Sequence, residues 1–228
     1  FKPSTSRIAR LMFAFTAKKI KNAFALGLIA FGLSTSVSSF AASTGQECKI
    51  LVMGDSLSAA YGLPKEQGWV ALMEGRLAEK FPHCKVVNAS VSGETTAGGK
   101  TRLPALLKQH QPTHMILELG ANDGLRGLSL DTMKDNLTNM LVTARRNGAQ
   151  AVLIGMQIPS NYGPAYARRF GDTFPEVARK QKVPLVPFML EGFALDPTAF
   201  QADGIHPNAG AQPKILENIW PTFSATLK

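Results

Sequence analysis

Two short stretches hold residue types that could attack a carbonyl and manage the proton: GDSLS (54–58) and DGIHP (203–207). In the first, Ser56 sits in a tight turn directly after the apolar run KILVM (49–53), where a strand mouth can expose its hydroxyl. The spacing predicts a helix beginning just beyond it. The Ser56 backbone N–H would then join a helix N-terminus, a ready anion site. A helix-capping serine assisted by Asp55 fits the same residues and stays open at this point. The stretch is not a G-x-S-x-G elbow, because position 58 is serine.

The chain has four histidines. His83 stands in a polar turn beside a proline, His110 near a helix end, and His114 at the entry of an apolar run, so all three read as surface or structural. His206 differs, because Asp203 precedes it by three residues across a glycine. One short turn can bring that carboxylate to Nδ1–H while Nε2 points outward to a hydroxyl. A capping aspartate beside a solvated histidine is the competing reading. No second histidine or cysteine stands near His206 to suggest a metal-ligand set, and no cofactor is expected.

SGETTAGGKT (92–101) looks at first like a phosphate-binding loop. G-x-x-x-x-G-K-[ST] counted back from Lys100 requires glycine at position 94, where Glu94 stands; Gly93 is one residue too early. A carboxylate within the cradle would repel phosphate. Nucleotide binding is therefore set aside, and Lys100 reads as a solvated helix-start lysine.

These stretches need elements to position them. Apolar runs KILVM (49–53), KVVNA (85–89), HMILEL (114–119), AVLIGM (151–156) and PLVPF (184–188) alternate with helical segments at 69–80, 101–110, 130–146 and 166–182, and a last helix after Pro207. Such alternation predicts an α/β fold, a flavodoxin-like three-layer sandwich around a five-stranded parallel sheet of order 2-1-3-4-5. Ligands in these sheets bind beyond the strands' carboxyl ends, at the switch point between strands 1 and 3. Those mouths carry GDSLSAAYG, SVSGETTAGG and GANDGLRG.

The formal charge of +9 is mostly N-terminal: residues 1–42 carry six Lys or Arg and no acid, leaving 19 bases against 16 acids afterwards. No basic stripe with interleaved aromatics remains, which argues against a nucleic-acid partner. Lys18, Lys19 and Lys21, the apolar stretch Ala23 to Leu33, and small residues ahead of a cleavage point between about Ala41 and Ser43 have the three parts of a secretory signal. Met12 stands just before them, so residues 1–11 read as upstream sequence. The expected organisation is residues 1–42 as upstream segment and signal, and 43–228 as one domain, exported to the periplasm or beyond and without stable membrane insertion. Cys48 and Cys84 precede the first two strands at equivalent places, so neighbouring parallel strands would bring them within disulfide range. Two unpaired, half-buried cysteines are the alternative.

GDSLS, SGETTAGG, GANDG and DGIHP, in that order, resemble the four sequence blocks of the SGNH (GDSL) hydrolases, and the resemblance covers residues 47–228. It implies Ser56 as nucleophile, His206 as general base and then acid, and Asp203 as its orienter. It also implies an oxyanion hole of the Ser56 and Gly93 N–H groups and the Asn122 amide. Asp55 and Asp123 then read as loop-bracing carboxylates, and Glu118 as a buried group paired with a partner. The implied activity is hydrolysis of acyl esters and thioesters, of arylesterase, acyl-CoA thioesterase or lysophospholipase type, by a monomer acting on small molecules, with lysophospholipid a candidate among them. Leu125, Ile158 and Tyr162 could line an acyl channel or simply pack. Arg126 could meet a phosphate-bearing head group or face solvent. A carbohydrate acetylesterase of the same superfamily and a non-catalytic exported acyl-binding protein are the alternatives.

Overall fold

The computed structural model describes residues 47–227. The signal-like segment at 1–42 lies outside them. Strands β1 (Cys48–Gly54), β2 (Cys84–Asn88), β3 (His114–Glu118), β4 (Gln150–Ile154) and β5 (Leu185–Val186) form one sheet, all parallel, in the order β2-β1-β3-β4-β5. β1, β3 and β4 are buried almost end to end, because a parallel sheet is covered on both faces. That is why they read as unbroken aliphatic runs.

Six α-helices are described: α1 (Trp69–Lys80), α2 (Thr96–His110), α3 (Ala121–Leu125), α4 (Leu130–Arg146), α5 (Pro164–Gln181) and α6 (Gln212–Ser224). α1 packs beside α6, while α4 packs against both α2 and α5, forming two helical layers. Trp69, Met73 and Leu77 of α1, and Met133, Leu137 and Met140 of α4, are fully buried at helical spacing. β5 is only two residues long, flanked by Pro184 and Pro187, which cannot donate to a ladder.

α2 starts earlier than its sequence suggests. Thr95 caps it, accepting from Gly98 N–H, so the glycine pair belongs to its first turn. A Cβ at Gly99 would lie 2.4 Å from Leu119 Cδ1, so glycine there lets the helix approach the end of β3. Lys100 is exposed on that helix.

The register pairs Cys48 with Cys84, and the two form a disulfide with Cα atoms 4.3 Å apart. It closes a loop with a sequence separation of 36, for which chain-entropy arguments give a contribution of about 3–4 kcal/mol. Urea unfolding with and without reductant should show a loss of that order; unchanged midpoints would mean that the bridge adds nothing to stability.

Candidate active site

β1 ends at Gly54 and the chain folds into a single turn: Ala59 N–H donates to the Asp55 carbonyl at 2.9 Å and Tyr61 N–H to the Ser56 carbonyl at 3.1 Å. Asp55 Oδ1 accepts Leu57 N–H at 3.0 Å. The helix expected after Ser56 does not form. Ala60 at φ 57° and Gly62 at φ 74° are left-handed, which takes the chain off the helical path after one turn. The Ser56 N–H is therefore part of a turn, not of a helix N-terminus. Among the described residues it has no internal acceptor, so it stays available to a ligand.

The DGIHP turn folds around Asp203. One carboxylate oxygen accepts the N–H groups of Ile205 and His206 at 2.9 and 3.0 Å, and the other accepts His206 Nδ1–H at 2.7 Å. Capping and imidazole orientation, which competed as explanations of this aspartate, occur together, one per oxygen. The His206 backbone N–H, then its imidazole, then Ile205 N–H hold the Asp203 carboxyl down at about 2. With Nδ1–H committed to Asp203, Nε2 is the acceptor, and it lies 2.9 Å from Ser56 Oγ. The Tyr61 ring stacks against His206 with centroids 4.5 Å apart, a contact no sequence pattern announced.

Gly120, at φ 122° with Phe174 Cζ 3.1 Å from any added Cβ, turns the chain from β3 into α3. Asn122 on that helix donates from Nδ2 to Asp55 Oδ2 at 3.1 Å, which leaves its second amide hydrogen free. Arg126 is exposed, as one of its two sequence readings had it, and is also tied to the site: one guanidinium nitrogen donates to the Gly93 carbonyl at 2.9 Å and lies 3.5 Å from Asn122 Oδ1. Gly93, at φ 78°, also has an N–H without an acceptor among the described residues. Its loop is tied back by Val91 N–H to the Gly54 carbonyl at 3.0 Å.

The remaining acids brace this frame. Asp123 accepts Thr96 N–H at 2.8 Å and the Thr96 hydroxyl at 2.6 Å, joining α3 to the start of α2. Glu118 Oε2 accepts the Ser58 hydroxyl at 2.6 Å and Asp55 N–H at 3.2 Å. His114 hydrogen-bonds to Thr113 and to the Thr226 carbonyl, far from the carboxyl edge, and burial lowers its pKa.

Beside Ser56 and His206 opens a cleft of about 1110 Å³, lined by Leu125, Ile158 and Tyr162 as the sequence allowed. Its other wall, with Phe188, Leu190, Phe193 and Leu195, comes from the loop after β5, and Ile205 stands at its edge. Sequence reasoning missed that wall. Its one trace is that PLVPFMLEGFAL stays apolar well beyond a strand's length.

A serine, histidine and aspartate in one hydrogen-bonded line at the carboxyl edge of a doubly wound parallel sheet give the layout of an α/β acyl hydrolase. The chain belongs to the GDSL-like lipase/acylhydrolase family, whose profile matches residues 52–212. It is 51% identical over 178 residues to Esterase TesA of Pseudomonas aeruginosa, covering 78% of this chain and 89% of that protein. It is 43% identical over 168 residues to thioesterase 1/protease 1/lysophospholipase L1 of Escherichia coli K12, covering 74% and 79% respectively. Among solved structures, the psychrotrophic esterase EstA of Pseudoalteromonas sp., inhibited by monoethylphosphonate, superposes with a TM-score of 0.75 at 40% identity over 78% of this chain and 98% of EstA.

Burial pushes Asp55 up to about 6 against the pull of Leu57 N–H and Asn122, and raises Glu118 well above the usual carboxylate range, with the Asp55 charge adding to the effect. Both groups hold a proton more tightly in the folded protein than in the unfolded chain. Their contribution to stability is complete below the ordinary carboxylate range and is lost as pH rises through about 6 for Asp55 and higher for Glu118. Glu118→Gln should therefore gain melting temperature relative to wild type between pH 5 and pH 8, by about 2 °C or more. A pH-independent difference would mean that Glu118 is ionised throughout.

Proposed function

We propose that this protein is a serine esterase that hydrolyses acyl esters and thioesters through an acyl-enzyme on Ser56. The observation that carries the reading is the unbroken line Ser56 Oγ, His206 Nε2, His206 Nδ1, Asp203 Oδ2, with links of 2.9 and 2.7 Å. His206 takes the Ser56 proton as Oγ attacks the acyl carbonyl, then returns it to the departing alcohol or thiol. Water, deprotonated by the same imidazole, releases the acid. Asp203 keeps the imidazole in the tautomer whose Nε2 accepts and stabilises the imidazolium between steps. The oxyanion is received by the Ser56 and Gly93 N–H groups and the free Asn122 amide hydrogen, donors fixed before substrate arrives. The inhibition of EstA by a phosphonate fits a nucleophile that accepts a tetrahedral adduct.

The substrate class follows from the cleft. Its volume and its apolar walls suit an alkyl chain better than an acetyl group, and the relative from Escherichia coli is named as a thioesterase and lysophospholipase. The catalytic domain spans residues 43–228, acts as a monomer without metal or cofactor, and is exported. The Cys48–Cys84 disulfide supports export, since such bonds persist in oxidising compartments. No helix among the described residues is long and apolar enough to cross a membrane.

Ser56→Ala or His206→Ala should lower kcat on the order of 10⁴-fold; retention of a tenth of the activity would sink the assignment. Asn122→Ala should cost about 10² to 10³-fold, the usual loss for one oxyanion donor. A series of p-nitrophenyl esters from C2 to C12, assayed beside acyl-CoA and lysophospholipid, should show kcat/KM rising beyond C2, whereas a maximum at C2 would favour an acetylesterase.

A further inference from the structure

Glu118 is an acid that follows three fully buried apolar residues of β3, it is itself buried, and the reaction above makes no use of it. The register places it opposite Gly54, the last residue of β1, so its side chain rises beside the turn that carries Ser56. Oε2 accepts Asp55 N–H at 3.2 Å and the Ser58 hydroxyl at 2.6 Å, one residue before Ser56 and two after it. Gly54 makes room for this clamp: a Cβ there would lie 2.6 Å from Glu118 Oε2 and 2.7 Å from Ser58 Oγ. The Ser58 carbonyl in turn accepts Asn88 Nδ2 at 2.8 Å, which fastens the turn to the end of β2.

We infer that Glu118 is a positioning residue that clamps both ends of the turn bearing Ser56, through the Asp55 N–H and the Ser58 hydroxyl. This rests on the reading of Ser56 as nucleophile. An apolar residue in its place would leave two buried donors unpaired on either side of Ser56, and the turn would relax to find other partners. A displacement of Oγ by about 1 Å from the His206 line is enough to cost on the order of 10²-fold in rate. The cleft that receives substrate is built from other residues, so binding is not the quantity at risk. What the clamp requires is an acceptor oxygen, which an amide also supplies.

The test compares wild type, Glu118→Leu, Glu118→Gln and Ser58→Ala in steady-state hydrolysis of a p-nitrophenyl ester and in the rate of labelling by a fluorophosphonate. Glu118→Leu should lose about 10²-fold in kcat with KM changed less than about threefold, and its labelling should slow in parallel. Glu118→Gln should stay within about fivefold of wild type, and Ser58→Ala should fall between the two. A folded Glu118→Leu protein with wild-type kcat would overturn the inference, as would equal losses in the leucine and glutamine variants. If Glu118→Leu does not fold, Ser58→Ala decides: wild-type kcat and labelling there overturn it, and a matched drop in both supports it. Failure of wild type itself to label would defeat the nucleophile assignment, whereas equal labelling of wild type and variants would defeat only the clamp.

Discussion

The hydrogen bond between Ser56 and His206 joins two turns 150 residues apart in the chain. Neither turn can place its side chain alone, because each is a short excursion from the frame beneath it. A parallel sheet solves the problem by ending every strand on the same edge, where the loops after β1, β2 and β3 gather at the point where strand order reverses. The Asp203 turn reaches that edge from the far side, held by Gln201, whose amide donates to the Tyr61 carbonyl at 2.8 Å. The same link sets Tyr61 against the face of His206. Once those contacts exist, the imidazole has one orientation open to it.

The acids around the site divide into two environments. Asp203 is partly exposed and meets three N–H groups, so its charge is supported and it stays ionised. Asp55 and Glu118 lie beneath Ser56, where burial works against charge and what they contribute is acceptor geometry. Asp55 links the Ser56 turn to Asn122, Glu118 ties the same turn to the end of β3 through Asp55 N–H and the Ser58 hydroxyl, and Arg126 bridges Asn122 and Gly93 from outside. The serine turn, the glycine loop and the asparagine helix are thus connected by side chains outside the proposed catalytic set.

Much of this was legible in the sequence where the determinants are local. Trp69–Lys80 and Leu130–Arg146 announce themselves by apolar period, and the strand runs by aliphatic density. Asp203 and His206 meet within one turn, so their spacing suffices, and equivalent places on neighbouring strands foretold that Cys48 and Cys84 would stand side by side. Where tertiary packing decides, legibility fails. A glycine pair hid the first turn of α2, where Gly99 is needed for close approach to Leu119. Ala60 looks like a helix former yet is left-handed, which removed the helix after Ser56. The cleft wall from Phe188 to Leu195 has no period to betray it, because an irregular loop is shaped by what it packs on.

The proposed chemistry stands on the Ser56 hydroxyl as nucleophile and on His206 as the group that activates it. Peptide mass spectrometry after reaction with an alkyl fluorophosphonate tests it most directly. One phosphonyl adduct per molecule is expected, on the tryptic peptide containing Ser56, with its disappearance in His206→Ala. An adduct on any other residue, or undiminished labelling of Ser56 without His206, would contradict it.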